Sequence, residues 1–207
     1  MSNDQFPMKN KEIKNPPTNY LLLATFFIAA ISERIFFDLG PNVELVTMAI
    51  ILSAFYFGRN ESIWLTLAII VFSDLIIGNS NIFIFTWSGF LIPALFSKNL
   101  INRLTGFTNK LNTQKLTKPL TLTLTGVSAN LFFYLWTNFG VWLMGSMYSK
   151  TAGGLIMSYI NGLPFLKPQI ISSVVFIPLA FVLTESGIIL ARWLSLKYKF
   201  HPLSFRT

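Results

Sequence analysis

The sequence predicts an all-α integral membrane protein with six transmembrane helices, and three observations carry that reading. Hydrophobic residues make up 53% of the 207 positions and charged residues only 12%, whereas soluble globular domains carry about 25% charge. The apolar residues gather in runs of about 15 to 20, the length that crosses a hydrocarbon core of about 30 Å. Lysine and arginine collect in alternate connections, as the positive-inside rule requires of a chain with an even number of spans. A formal charge of +8 also suits nucleic acid, but its segregation between spans excludes that partner in favour of a lipid bilayer. The absence of cysteine excludes disulfides, thiolate catalysis and Cys-ligated metal.

Residues 1–18 are polar, with Lys9, Lys11, Lys14 and Pro16-Pro17, and read as a disordered cytoplasmic tail. Residues 19–196 form the membrane domain. Its first helix is expected over Asn19–Phe37. Ile28-Ala29-Ala30 resembles a signal cleavage site, but the long polar lead-in and the continuation into Ser32-Glu33-Arg34 fit an uncleaved helix that Gly40-Pro41 stops. The second span, Val43–Phe57, ends at the turn Gly58-Arg59-Asn60. The third, Ser62–Gly78, carries Asp74, and the fourth, Ile82–Leu100, contains Pro93, which predicts a kink. A basic connection from Lys98 to Lys118 leads to a fifth span that starts after Pro119 and runs through Trp136.

The segment from Asn138 to Pro168 mixes aromatics, glycines and small polar residues. It is too interrupted to span and too apolar for water, so it is expected to form a capping loop with a short helix at Thr151–Ile160. The sixth span, Gln169–Trp193, contains Pro178. Residues 197–207 form a cytoplasmic basic tail with Lys197, Lys199 and Arg206.

Six spans put both termini on one side. That side receives the terminal lysines, Arg59, the Lys98–Lys118 stretch and Arg192, while Arg34, Lys150 and Lys167 fall opposite. The rule therefore predicts an inner (cytoplasmic) membrane protein with both termini in the cytoplasm.

Polar residues from separated stretches then converge at the outer depth. A carboxylate such as Asp74 costs roughly 2.5–3.5 kcal/mol at mid-bilayer and normally faces protein or water. Arg34 ends the first helix, and Glu44 falls on the outer half at the start of the second. In the fifth, Asn130, Tyr134 and Asn138 recur at i, i+4 and i+8 on one face. Trp142, Tyr148, Lys150 and Tyr159 are expected to roof them. Each has a plainer alternative: Asp74 solvated by headgroups, Arg34 paired locally with Asp38, Trp142 and Tyr148 in an interfacial aromatic belt. Their convergence favours a small-molecule pocket with aromatic walls and a few orienting polar groups. Enzymatic readings fare poorly. The lone His201 lies in the tail, Gly126-Val127-Ser128-Ala129 lacks the second glycine of a nucleophile elbow, and Glu185 lies at the wrong depth to pair with Asp74. No phosphate-binding glycine loop, cofactor motif or metal-ligand spacing occurs in the sequence.

Arg34, Pro41-Asn42, Ala54-Phe55-Tyr56-Phe57-Gly58, Ser73-Asp74-Leu75-Ile76-Ile77-Gly78, Asn138-Phe139-Gly140-Val141-Trp142, Tyr148-Ser149-Lys150-Thr151 and Leu163-Pro164-Phe165 together resemble an uncharacterised bacterial membrane protein family that looks like the substrate-binding S components of energy-coupling factor (ECF) vitamin transporters. The resemblance implies a six-helix bundle, an outward-facing site under a cap, uptake of a small vitamin-like nutrient, and docking onto ECF transmembrane and ATPase subunits. Similar sequences tend to read Asn-Phe-Ser-Pro-Val where this chain has Asn42-Val43-Glu44-Leu45-Val46, and Ser149 stands where proline is usual. The Ala-x-x-x-Ala docking face of many S components is also missing, since Ala24 and Ala29 are five apart. A non-transporting membrane scaffold or assembly protein on the same fold is the rival reading.

Overall fold

The computed structural model describes residues 17–37, 43–78, 81–109 and 117–198, in six helices and no strand. These are α1 (Pro17–Ile35), α2 (Val46–Tyr56), α3 (Arg59–Ile77), α4 (Phe83–Asn109), α5 (Thr117–Met144) and α6 (Ala152–Tyr198). Three are long and apolar enough to cross a membrane: α3, α4 over Phe83–Phe107, and α6 over Ala152–Leu194. Most of the two polar tails lies outside the described residues, although α1 begins at Pro17 and α6 continues through Tyr198.

The second expected span is corrected. α2 has only 11 residues, about 16 Å of helix, roughly half the hydrocarbon thickness. Val46 to Ala54 are all buried, as expected of a helix that is apolar all round and enclosed by others. It packs against every other helix and forms the axis of the core, with Ile50, Ile51, Leu52 and Ala54 almost fully covered. Gly58, at φ 124°, turns the chain into α3, and Gly78, at φ 87°, ends that helix. Both lie in a region that side-chain-bearing residues rarely occupy. Ser62 on α3 reaches back to α2, its hydroxyl donating to Ile50 O at 3.0 Å.

The cap is corrected as well. α5 continues eight residues past Trp136 to Met144, and the expected short helix and the sixth span are one helix of 47 residues. Only residues 145–151 connect them. The glycines that suggested interruption form a stripe, since Gly154, Ser158 and Gly162 are buried at intervals of four. Such small-xxx-small spacing lets helix backbones approach closely. Gln169, Ser173, Ile177 and Phe181 extend the buried face. Pro164, Pro168 and Pro178 lie off that stripe within the helix. α4 likewise runs nine residues beyond Leu100.

α5 packs most extensively on α6 and next on α4. A Cβ at Gly140 of α5 would collide with Phe85, lying 2.8 Å from its Cβ. Because the obstruction lies at the base of that ring, rotation of Phe85 does not relieve it. Gly140→Ala is expected to lower stability by about 1–3 kcal/mol, read as a lower midpoint in detergent thermal unfolding. Gly106→Ala, where nothing lies within 4 Å of the added atom, serves as the control.

Candidate functional site

The C-terminal ends of α1 and α5 and the N-terminal ends of α4 and α6 surround a cavity of about 480 Å³. Arg34 and Glu44 contribute from either side of the α1–α2 connection. Thr86 and Phe90 come from α4, and Phe133, Tyr134, Thr137, Asn138 and Val141 from α5. Tyr148 belongs to the α5–α6 turn, and Asn161, Phe165, Leu166 and Gln169 belong to α6. The volume falls within the roughly 300–1,000 Å³ typical of small-molecule sites.

Arg34 organises one wall. Its Nε donates to Ser73 Oγ at 3.0 Å and its Nη2 to Asp74 Oδ1 at 3.2 Å. The guanidinium carbon lies 5.9 Å from the centre of the Phe90 ring, within cation–π range. Trp87 Nε1 donates to the other carboxylate oxygen, Asp74 Oδ2, at 2.6 Å. Asp74 therefore stands behind Arg34 and does not itself line the cavity. One carboxylate joins α1, α3 and α4.

Glu44 precedes α2, outside every helix. The cavity reaches part of its surface while protein surrounds it, and this burial pushes its carboxyl up to about 7. Arg34 opposes the shift and Glu33 adds to it. The Glu44 N–H donates to Ser172 Oγ on α6 at 3.3 Å, and Leu45 N–H to Glu33 Oε2 at 3.4 Å. The mouth of α2 is thus tied to both α1 and α6.

The polar stripe on α5 divides by role. Asn130 is only 4% exposed and does not line the cavity. It accepts from Thr47 Oγ1 at 2.9 Å and donates to Gln169 O at 2.6 Å and Ser173 Oγ at 2.8 Å. It is a satisfied link among α2, α5 and α6. Tyr134 and Asn138 do line the cavity; Tyr134 Oη donates to Tyr159 O, and Asn138 Nδ2 to Tyr134 O at 2.8 Å.

The expected roof is corrected in part. Tyr148 lines the cavity and accepts from Asn161 Nδ2 at 3.3 Å. Trp142 and Lys150 do not. Trp142 Nε1 donates to Ser149 O at 2.9 Å, while Lys150 Nζ donates to the carbonyls of Trp142, Leu143 and Gly145 at the end of α5. A lysine there satisfies orphan carbonyls and offsets the helix dipole. Asn42 and Asp38 lie outside the described residues.

Sequence reasoning missed Gln169, Asn161, Thr86 and the apolar walls. Gln169 opened an expected span and is 6% exposed, so a polar side chain in an apolar run was its available signal. Among the described residues no cluster of three His, Asp or Glu side chains is placed to hold a metal.

Residues 14–191 match the model of a family of unknown function, DUF6580. The chain belongs to that family. No curated protein and no solved structure matches it. Membership in DUF6580 thus covers the cavity and all of the bundle but the last residues of α6, and brings no ligand or partner with it.

Two outcomes follow from this geometry. Asp74→Ala leaves a largely buried Arg34 and the Trp87 N–H without their acceptor, and is expected to cost about 3 kcal/mol, with Asp74→Asn losing less because the amide oxygen still accepts. Thermal unfolding of the purified variants measures both. Glu44 has a folded-state pKa near 7 against an ordinary 4.5, so the folded chain binds the extra proton. The stability it contributes is full below about pH 4.5 and is lost as pH rises through about 7. The unfolding midpoint is expected to fall across that window, and Glu44→Gln to flatten the profile.

Proposed function

We propose that the chain is a substrate-capture subunit for uptake of a small vitamin-like nutrient, with its cavity facing outward. The observation that carries this reading is the cavity itself: apolar and aromatic walls from α4, α5 and α6 with Arg34, Glu44, Asn138 and Gln169 set among them. That is the composition of sites that enclose a small molecule and orient it by a few polar groups. In this reading the chain performs no bond chemistry. The sequence has no nucleotide-binding loop, so inward transport needs a separate ATP-hydrolysing module, the role that ECF transmembrane and ATPase subunits play for S components.

Orientation in a bacterial inner membrane follows from charge. Arg59 opens α3, Lys98 and Arg103 lie in the second half of α4, Lys118 opens α5, and Arg192 lies near the end of α6, all remote from the cavity. Under the positive-inside rule that end is cytoplasmic and the cavity is outside. The long helices alternate in direction, and α2, too short to span on its own, is enclosed by its neighbours where lipid does not reach it.

Reporter fusions test the topology. A fusion in residues 110–116 is expected to report cytoplasm and one in residues 145–151 the outer side; the reverse result overturns the outward-facing cavity. For function, the chain is purified from its own host and released compounds are identified by mass spectrometry. The expected result is one small vitamin-like nutrient, retained less by Asp74→Asn, which loosens Arg34 in the cavity wall, with uptake lost on deleting the ATPase subunits. An empty cavity together with an assembly or cell-shape defect on deletion overturns capture in favour of a scaffold.

A further inference from the structure

Two groups of opposite sign line the cavity and keep accessible polar atoms without a partner. Arg34 is held along one edge of its fork, where Nε and Nη2 donate to Ser73 and Asp74 on α3, and the Phe90 ring backs the guanidinium. Neither Ser73 nor Asp74 lines the cavity, whereas Arg34 does, with its side chain 18% exposed. Nη1, on the remaining edge, makes no hydrogen bond and is not sealed from its surroundings. A planar guanidinium fixed along one edge presents the N–H groups of the other in a set direction.

Glu44 supplies the opposite half. Its main-chain N–H is tied to Ser172 Oγ on α6, but neither oxygen of its carboxyl accepts a hydrogen bond or forms an ion pair with a described residue, and both remain accessible. Burial pushes that carboxyl up to about 7, and the Arg34 charge opposes the shift without cancelling it. A carboxylate enclosed by protein is normally paired. Arg34 is the one cation among the described lining residues, and its ion pair is with Asp74. The charge of an ionised Glu44 is therefore left over, with Glu33 adding to it from α1.

The sum of charges then decides between ligands. A monocation brings Arg34, Asp74 and Glu44 to neutrality, a zwitterion leaves one negative charge over, and an anion leaves two. Uncompensated charge in an enclosed site is costly. We infer that the cavity takes a small organic monocation with an uncharged acceptor at its other end, an amine N–H donating to the Glu44 carboxylate and a carbonyl or ring nitrogen accepting from Arg34 Nη1. This deepens the capture reading and rests on it.

The test uses the full chain in nanodiscs, above pH 7 where Glu44 is ionised, with ω-amino amides from glycinamide and β-alaninamide upward in length as probes. Each is compared with the amino acid, the alkylamine and the alkyl amide of the same length, and binding is followed by saturation-transfer NMR. At one length the amino amide is expected to bind at least tenfold more tightly than all three. Glu44→Gln keeps the shape of the side chain and the main-chain bond to Ser172. It is expected to abolish the advantage over the alkyl amide, with the unfolding midpoint confirming that the variant is folded. Binding of the amino acid or the alkylamine as tightly as the amino amide, or an advantage unchanged in Glu44→Gln, overturns the assignment. If no probe binds, the compound released from protein purified from its host decides. A monocation with an uncharged acceptor upholds the assignment, any other compound overturns it and leaves the capture reading standing, and an empty protein overturns both.

Discussion

The fold depends on keeping one arginine at the end of an apolar helix. The guanidinium of Arg34 presents its donors in a rigid planar fork, so its environment has to be built for it. Asp74 and Ser73 supply acceptors from α3, and Phe90 supplies a ring face from α4. Trp87 then fixes the free oxygen of Asp74, so the aspartate is held from two directions and has little freedom to rotate away. The registers of α1, α3 and α4 are thereby set at the depth where the cavity opens, and the same contacts leave Arg34 forming part of its wall.

The cavity lies beside the chain entering α2. That helix has 11 residues, and Val46 to Ala54 are all buried among the other five helices. Here the chain entering α2 brings Glu44 to that space, and Asn130 and Thr47 tie the helix to α5 just below. The polar links around this level, from Thr47 through Asn130 to Gln169 and Ser173, form a satisfied floor. Above it the walls become aromatic.

Much of this was legible in the residues. Six helices, their order, the stops at Gly58 and Gly78 and the meeting of Arg34 with Asp74 all follow from apolar runs, glycines and the cost of an isolated carboxylate. Tyr134 and Asn138, four apart, share one helix face and both line the cavity, whereas Tyr148, expected in the roof, lines it from the α5–α6 turn. What failed was the reading of Asn138 to Pro168. Glycine and proline suggest interruption in water, but between packed helices Gly154, Ser158 and Gly162 are the contact surface itself, and the prolines are carried off that stripe. The same local error displaced Trp142 and Lys150 into a roof they do not form. Asn130 shows a different limit: position on a helix face tells which direction a side chain points, not whether its hydrogen bonds are already taken.

The way Lys150 closes the end of α5 bears on how anything enters. Its ammonium has three hydrogens, and three main-chain carbonyls receive them. The seven residues between α5 and α6 are therefore a pinned corner, with Trp142 adding a second tie to Ser149. Such a corner is a fixed edge, and a ligand passes it through the open side of the cavity without first having to lift it.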